Sequence, residues 1–273
     1  MEIHLLFGYG MALLVGLLMG LAGGGGSVLT VPIFVYVFGI PPLLSTTYSL
    51  FVVGATSLVG AVFHLRQRRV DLRVAGAFAL PSFASVYLTR RWLVPTLPDP
   101  LLRFGDVGLP KADALLLLFA VVMLVAAWGM IRRRPLFTPD AVAGQPPRYG
   151  RLAFDGLVVG LLTGTIGAGG GFLIVPMLVL LAGLPMHRAV ATSVVIIAAN
   201  SVIGFCGDTG LAGLHWPFLL GFTGLAVGGI FVGLALARKV APTRLKRGFG
   251  WLVVGVALLM LGQEVVGLGW VKF

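Results

Sequence analysis

Two glycine-rich stretches, GLAGGGGSVLTVP at residues 20–32 and GTIGAGGGFLIVP at residues 164–176, break otherwise apolar sequence. Glycine inside a helix costs roughly 1 kcal/mol relative to alanine, because it gives up the most backbone freedom on folding. A run of glycines therefore marks a break. The helix that restarts after it opens with N–H groups that have no intrahelical partner, at the positive end of its dipole. That arrangement suits an anion without requiring a buried charged side chain. The backbone placed to hold one is Gly24, Gly25, Gly26 and Ser27 in the first stretch, and Gly169, Gly170 and Gly171 in the second. Small residues also serve close helix packing in membranes. Two stretches in matching register, each opening a short apolar segment and followed by Pro32 or Pro176, favour a site over packing alone.

Hydroxyl and amide donors follow each stretch. Thr46, Thr47, Ser49, Thr56 and Ser57 are matched by Thr192, Ser193, Asn200 and Ser201. Serine and threonine can satisfy themselves on their own helix carbonyls. A carboxamide in mid-span, such as Asn200, needs other partners. Ser49, Ser57, Thr192, Ser193, Asn200 and Ser201 complete the candidate substrate-binding set, because these donors fit oxyanion oxygens. His64 and Asp208 occupy equivalent positions at the ends of their segments. Interfacial capping explains them, and a gating or coupling role is the alternative. No catalytic residues, metal site or cofactor are expected. The glycine runs lack the Lys-Ser or Lys-Thr pair of a nucleotide-binding loop, and His4, His64, His187 and His215 lack zinc-ligand spacing.

The elements that must position these groups cross a membrane. Of 273 residues, 58% are hydrophobic and 11% charged, against about 25% charged in soluble domains, and mean hydropathy is +1.04. About 20 apolar residues span the ~30 Å hydrocarbon layer. Segments are expected at 5–22, 28–38, 45–65, 74–92 and 112–131 (A to E), then at 152–166, 172–182, 189–206, 216–237 and 248–266 (A′ to E′). The chain divides into an N-terminal membrane repeat at 1–131, a basic, proline-containing cytoplasmic linker at 132–151, and a C-terminal membrane repeat at 152–273. The first basic residue after Met1 is Arg66, so segment A reads as a retained membrane segment rather than a cleaved leader. Net charge is +11. Because the basic residues gather between segments, they set topology and meet lipid headgroups; no nucleic-acid partner is expected. Cys206 is the single cysteine, in apolar surroundings, so no intrachain disulfide forms.

With Gly16 laid on Gly160, residues 16–60 align on 160–204 without a gap. The alignment keeps Gly23/Gly167, Gly25/Gly169, Gly26/Gly170, Pro32/Pro176, Pro41/Pro185, Ser49/Ser193 and Ser57/Ser201 in register. Duplicated halves are common in secondary transporters. Placing the basic clusters (residues 66–73, the linker and 238–247) in the cytoplasm inverts one half relative to the other. Arg90, Arg91, Arg103 and Lys111 then fall in an outside D–E loop, against the rule. The expected fold is an all-α integral membrane protein of two inverted repeats, each a Gly-broken helical hairpin plus three transmembrane helices.

The doubled GxGGG…P element, ATS at 191–193 with its partner TYS at 47–49, and RRVDL at 68–72 resemble the TauE/SafE-type sulfite exporter family, also called the toluenesulfonate uptake permease family. The resemblance covers nearly the whole chain. It departs from the family pattern where Asp208 stands opposite His64. It implies a secondary transporter, an exporter by preference, of a small sulfur-containing oxyanion such as sulfite or a short organosulfonate. It further implies a multi-pass protein of the cytoplasmic membrane of a prokaryote. A passive anion channel and a membrane scaffold are the rival classes. The expected partners are the small anion and membrane lipid, and a homodimer is allowed.

Overall fold

The computed structural model describes residues 2–104, 107–131, 149–167, 169–180, 182–209, 211–237, 240 and 242–267. The predicted linker up to residue 148 lies outside them. The N-terminal half contains α1 (Glu2–Ala22), α2 (Ser27–Val37), α3 (Pro42–Arg66), α4 (Leu72–Thr96) and α5 (Lys111–Ile131). The second half repeats the order as α6 (Tyr149–Ile166), α7 (Gly171–Leu180), α8 (Met186–Gly207), α9 (Trp216–Ala237) and α10 (Pro242–Gly267). Each predicted segment is a helix. Proline opens α3, as suits a first turn whose N–H groups have no partners. Asp71 caps α4 by accepting from the Val74 N–H at 3.1 Å.

The connection after α4 differs from the expectation. The helix runs on through a π-helical turn, Thr89–Leu93, so Arg90 and Arg91 belong to α4 and not to a loop. Lys111, also placed in that loop, begins α5. Its ammonium is buried against the carbonyls of Val94 and Leu97 and closes the end of α4. Between them lies an antiparallel hairpin, β1 (Leu102–Phe104) with β2 (Val107–Leu109), which pairs Leu102 with Leu109 and Phe104 with Val107. The fold is thus all-helical, with this one small two-stranded turn in a connection.

Among the described residues five helices are long and apolar enough to cross a membrane: α3, α4, α5 up to Gly129, α8 and α9. Large apolar side chains stand exposed on the outer helix faces, including Leu80, Val125, Trp128, Phe154 and Trp251. Such a surface suits lipid and not water. The short helices are wedged inside. Phe34 of α2 and Phe38 just after it pack against Phe218 and Phe222 of α9, with centroids 4.8 Å apart for Phe34–Phe222 and for Phe38–Phe218. Phe172 of α7 packs on Phe119 of α5 at 5.5 Å.

The two halves make reciprocal contacts. α1 packs along α9, and α6 along α4; α3 crosses α8, and α5 lies on α10. In the register that lays Gly16 on Gly160, Ala226 is equivalent to Ser82. A Cβ on Gly16 would overlap the Ala226 carbonyl, and one on Gly160 would press the Ser82 carbonyl at 2.6 Å. The same contact is made twice with the halves exchanged. Gly16→Ala and Gly160→Ala are each expected to lower the melting temperature of detergent-purified protein, by the ~1–3 kcal/mol typical of overpacking. Gly76→Ala, where a Cβ meets nothing within 4 Å, is expected not to do so.

Candidate functional site

The glycine breaks meet inside the molecule. A Cβ on Gly24 would overlap the backbone of Gly171, and one on Gly171 would overlap Gly24 Cα. The opening turns of α2 and α7 therefore touch, backbone to backbone, across the two halves. Ser27 Oγ donates to the Gly24 carbonyl at 2.7 Å and tightens the first turn. Ile174 N–H donates to the Gly170 carbonyl at 3.0 Å in the second. Gly26 and Gly170 face their own hairpins, where a Cβ would overlap the Val15 carbonyl and the Thr163 side chain. Gly25 packs by Ala22 and Phe249. Gly169 faces the α3–α8 crossing: a Cβ there would lie 2.7 Å from Ser201 Oγ and 2.6 Å from Val53.

That crossing holds polar groups with nothing to bond. The hydroxyls of Ser49, Thr56, Ser57 and Ser201 are buried and have no hydrogen-bond partner, and neither has Asn200 Oδ1. Asn200 Nδ2 donates to Ser82 Oγ at 2.8 Å and so ties α8 to α4. Buried polar groups are nearly always paired, so a group of orphans calls for a function. Other candidates have partners. Ser193 donates to the Val190 carbonyl of its own helix at 2.8 Å, beside the Gly23 turn. Thr192 Oγ1 accepts from the Asp71 backbone N–H at 3.1 Å and anchors the α3–α4 connection. His64 and Asp208 are not brought together. His64 is buried near the end of α3, with Nδ1 unpartnered.

Asp208 belongs to a network that the sequence reading missed. Arg90, only 3% exposed, donates from Nη1 to Asp208 Oδ2 at 3.2 Å and to Thr46 Oγ1 at 3.0 Å. Thr47 Oγ1 donates to the same Asp208 oxygen at 2.8 Å. Arg90 Nε and Nη2 are buried and have no acceptor. A buried charged side chain thus lies close to the second glycine break, because the extended α4 carries Arg90 inward beside Gly167. A crevice lined by Pro42, Leu43, Thr46, Leu116, Phe119 and Ile166 adjoins the network. The available signal was an arginine inside the apolar run SVYLTRRWLV, since an ionisable residue at membrane depth marks function by default. Among the described residues no cluster of His, Cys, Asp and Glu could hold a metal ion.

The family profile "Sulfite exporter TauE/SafE" matches residues 9–260. A protein of Xylella fastidiosa (strain 9a5c), named "Probable membrane transporter protein", is 29% identical over 263 residues, which are 93% of this chain and 94% of that protein. A Bacillus subtilis (strain 168) protein, "Probable membrane transporter protein YdhB", is 26% identical over 252 residues, 91% of this chain and 96% of that one. A Methanocaldococcus jannaschii protein with a similar name is 24% identical over 262 residues, 91% of this chain and 92% of that one. No solved structure matches. These names describe transport rather than catalysis. With apolar spans, buried glycine turns and a match over nearly its whole length, the chain belongs to the sulfite exporter TauE/SafE family and is a multi-pass membrane transporter.

Proposed function

We propose that the protein exports a small sulfur-containing oxyanion, sulfite or a short organosulfonate, across the cytoplasmic membrane of a prokaryote. The halves sit inverted in the membrane, and one rocks against the other around a central site. The site consists of the glycine turns at Gly24–Ser27 and Gly169–Gly171, with hydroxyl donors from α3 and α8. The observation that carries this reading is the set of buried, unpartnered hydroxyls of Ser49, Thr56 and Ser57 on α3 and Ser201 on α8, the last beside the Gly169 turn. Each has an O–H to give, and an oxyanion takes several at once. Neutral donors also suit an anion that must leave again, since they bind without a fixed counter-charge.

The test is counterflow in proteoliposomes preloaded with sulfite, sulfate, thiosulfate, methanesulfonate, acetate or chloride. A carrier of sulfur oxyanions accelerates labelled sulfite entry when sulfite or methanesulfonate is inside, and not when acetate or chloride is. Conductance without counterflow would instead make the protein a channel. The double variant Ser57→Ala/Ser201→Ala is expected to raise half-saturation at least about tenfold, as loss of two hydrogen bonds to a charged ligand implies. Its melting temperature is expected to hold or rise, because the hydroxyls it removes have no protein partner. Unchanged half-saturation would remove these serines from the site.

A further inference from the structure

Arg90 uses one of its three nitrogens. Nη1 is taken by Thr46 and Asp208, while Nε and Nη2, both buried, meet no acceptor. Those two nitrogens form one edge of the planar guanidinium, the edge that grips two oxygens of a carboxylate, sulfonate or phosphate together. Nη2 lies against the turn at Gly167, where a Cβ would overlap it and where φ is +73°. Glycine is needed there twice, for the left-handed backbone and for the space the guanidinium takes.

The surroundings are asymmetric. The repeat-equivalent of Arg90 is Leu234, and those of Thr46 and Thr47 are Val190 and Ala191. The charged network therefore exists at one end of the α3–α8 crossing and has no counterpart at the other. It lies towards the end of α4 remote from the basic connection at 67–71, and it ties α4, the start of α3 and the end of α8 through one guanidinium.

We propose that the Nε–Nη2 edge of Arg90 is an oxyanion-binding point at this end of the transport path, with the Asp208 carboxylate as its tethered competitor. The proposal rests on the anion-transport reading and adds a charged contact to it. An anion arriving beside Gly167 meets two donors in fork geometry. It shares the guanidinium's charge with Asp208, weakens the tie across the three helices and frees that end to open. The neutral crossing gives binding without commitment, and the single arginine gives one end a preference for oxygen anions over halide.

Purified protein in nanodiscs is titrated with sulfite, methanesulfonate, phosphate and acetate, read by calorimetry and by melting, and the same variants are assayed by counterflow. Arg90→Lys keeps the charge and can keep the pair with Asp208, but it has no fork. It is expected to bind the preferred anion about tenfold more weakly and to raise half-saturation to match, with an anion-free melting temperature near the wild type. Asp208→Asn removes the competing charge and keeps an acceptor for Thr47. It is expected to bind the anion several-fold more tightly and to show a larger anion-induced rise in melting temperature, because the anion becomes the counter-charge. A structural arginine, there only to neutralise Asp208 and the carbonyl end of α6, predicts no change of affinity in Arg90→Lys and none or a loss in Asp208→Asn; either result overturns the proposal. If Arg90→Lys does not fold, Asp208→Asn decides alone, tightening in support and anything else against. If no anion binds either the wild type or Asp208→Asn, the proposal falls. If phosphate or acetate binds with this dependence and no sulfur oxyanion does, the substrate assignment fails while the Arg90 site stands. If sulfite is carried and Arg90→Lys leaves half-saturation unchanged, the Arg90 site fails while the transport reading stands.

Discussion

Gly24→Ala is expected to abolish transport while the protein still inserts and folds. The added Cβ would overlap the Cα, carbonyl carbon and oxygen of Gly171. The obstacle is backbone, which cannot rotate aside as a side-chain tip can. The two turns must then separate, and with them the first N–H groups of α2 and α7. Overpacking of this kind costs about 1–3 kcal/mol or more, a loss a membrane protein can survive in stability. The geometry of the meeting point does not survive, because each turn sets the position of the other. Gly171→Ala is expected to fail likewise, since its Cβ meets Gly24 Cα and lies 2.8 Å from Ile197. Gly255→Ala and Gly262→Ala are the controls: nothing lies within 4 Å of a Cβ at either place. Inside a helix they are expected to transport normally and to gain slightly in stability. The check is counterflow rate beside melting temperature for the four variants. Normal transport by Gly24→Ala would mean that the juxtaposed turns do not shape the transport path.

Local signals were legible before any coordinates. Apolar runs long enough to span, broken by glycine and proline, located α1 to α10 among the described residues, because each run reports its own burial. The gapless register of residues 16–60 on 160–204 paired Gly16 with Gly160, and both sit at close helix approaches, which select small residues one position at a time. Pairings across distance were not legible. Arg90 and Asp208 stand 118 positions apart, and each, seen alone, reads as the charged end of a span. The π-helical turn that carries α4 past Arg90 has no composition of its own, so the arginines seemed to belong to a loop. Nor does a serine announce its partner. Ser193 bonds its own helix at Val190, whereas Ser49, equivalent to it in the repeat, bonds nothing.

The Arg90–Asp208 pair is expected to behave as a unit in stability as well as in binding. Removing one member of a buried pair strands the other in a low-dielectric setting, at about 3–5 kcal/mol. Asp208→Leu strands a guanidinium that is 3% exposed and already carries two unpartnered nitrogens. Arg90→Met leaves a carboxylate that keeps the Thr47 hydroxyl at 2.8 Å, so its loss is expected to be the smaller. Arg90→Met/Asp208→Leu removes both charges and replaces them with apolar volume. Such replacements are often neutral, so the double variant is expected to recover most of the lost stability. The coupling appears as strong non-additivity in the cycle of four melting curves; additive losses would mean that the pair contributes nothing as a pair. Transport separates the two roles. If the charges served only to hold α3, α4 and α8 together, the double variant would transport once its stability returned. If Arg90 binds the anion, the double variant is stable and transports poorly, because apolar packing restores the tie between the helices but not the fork that releases it.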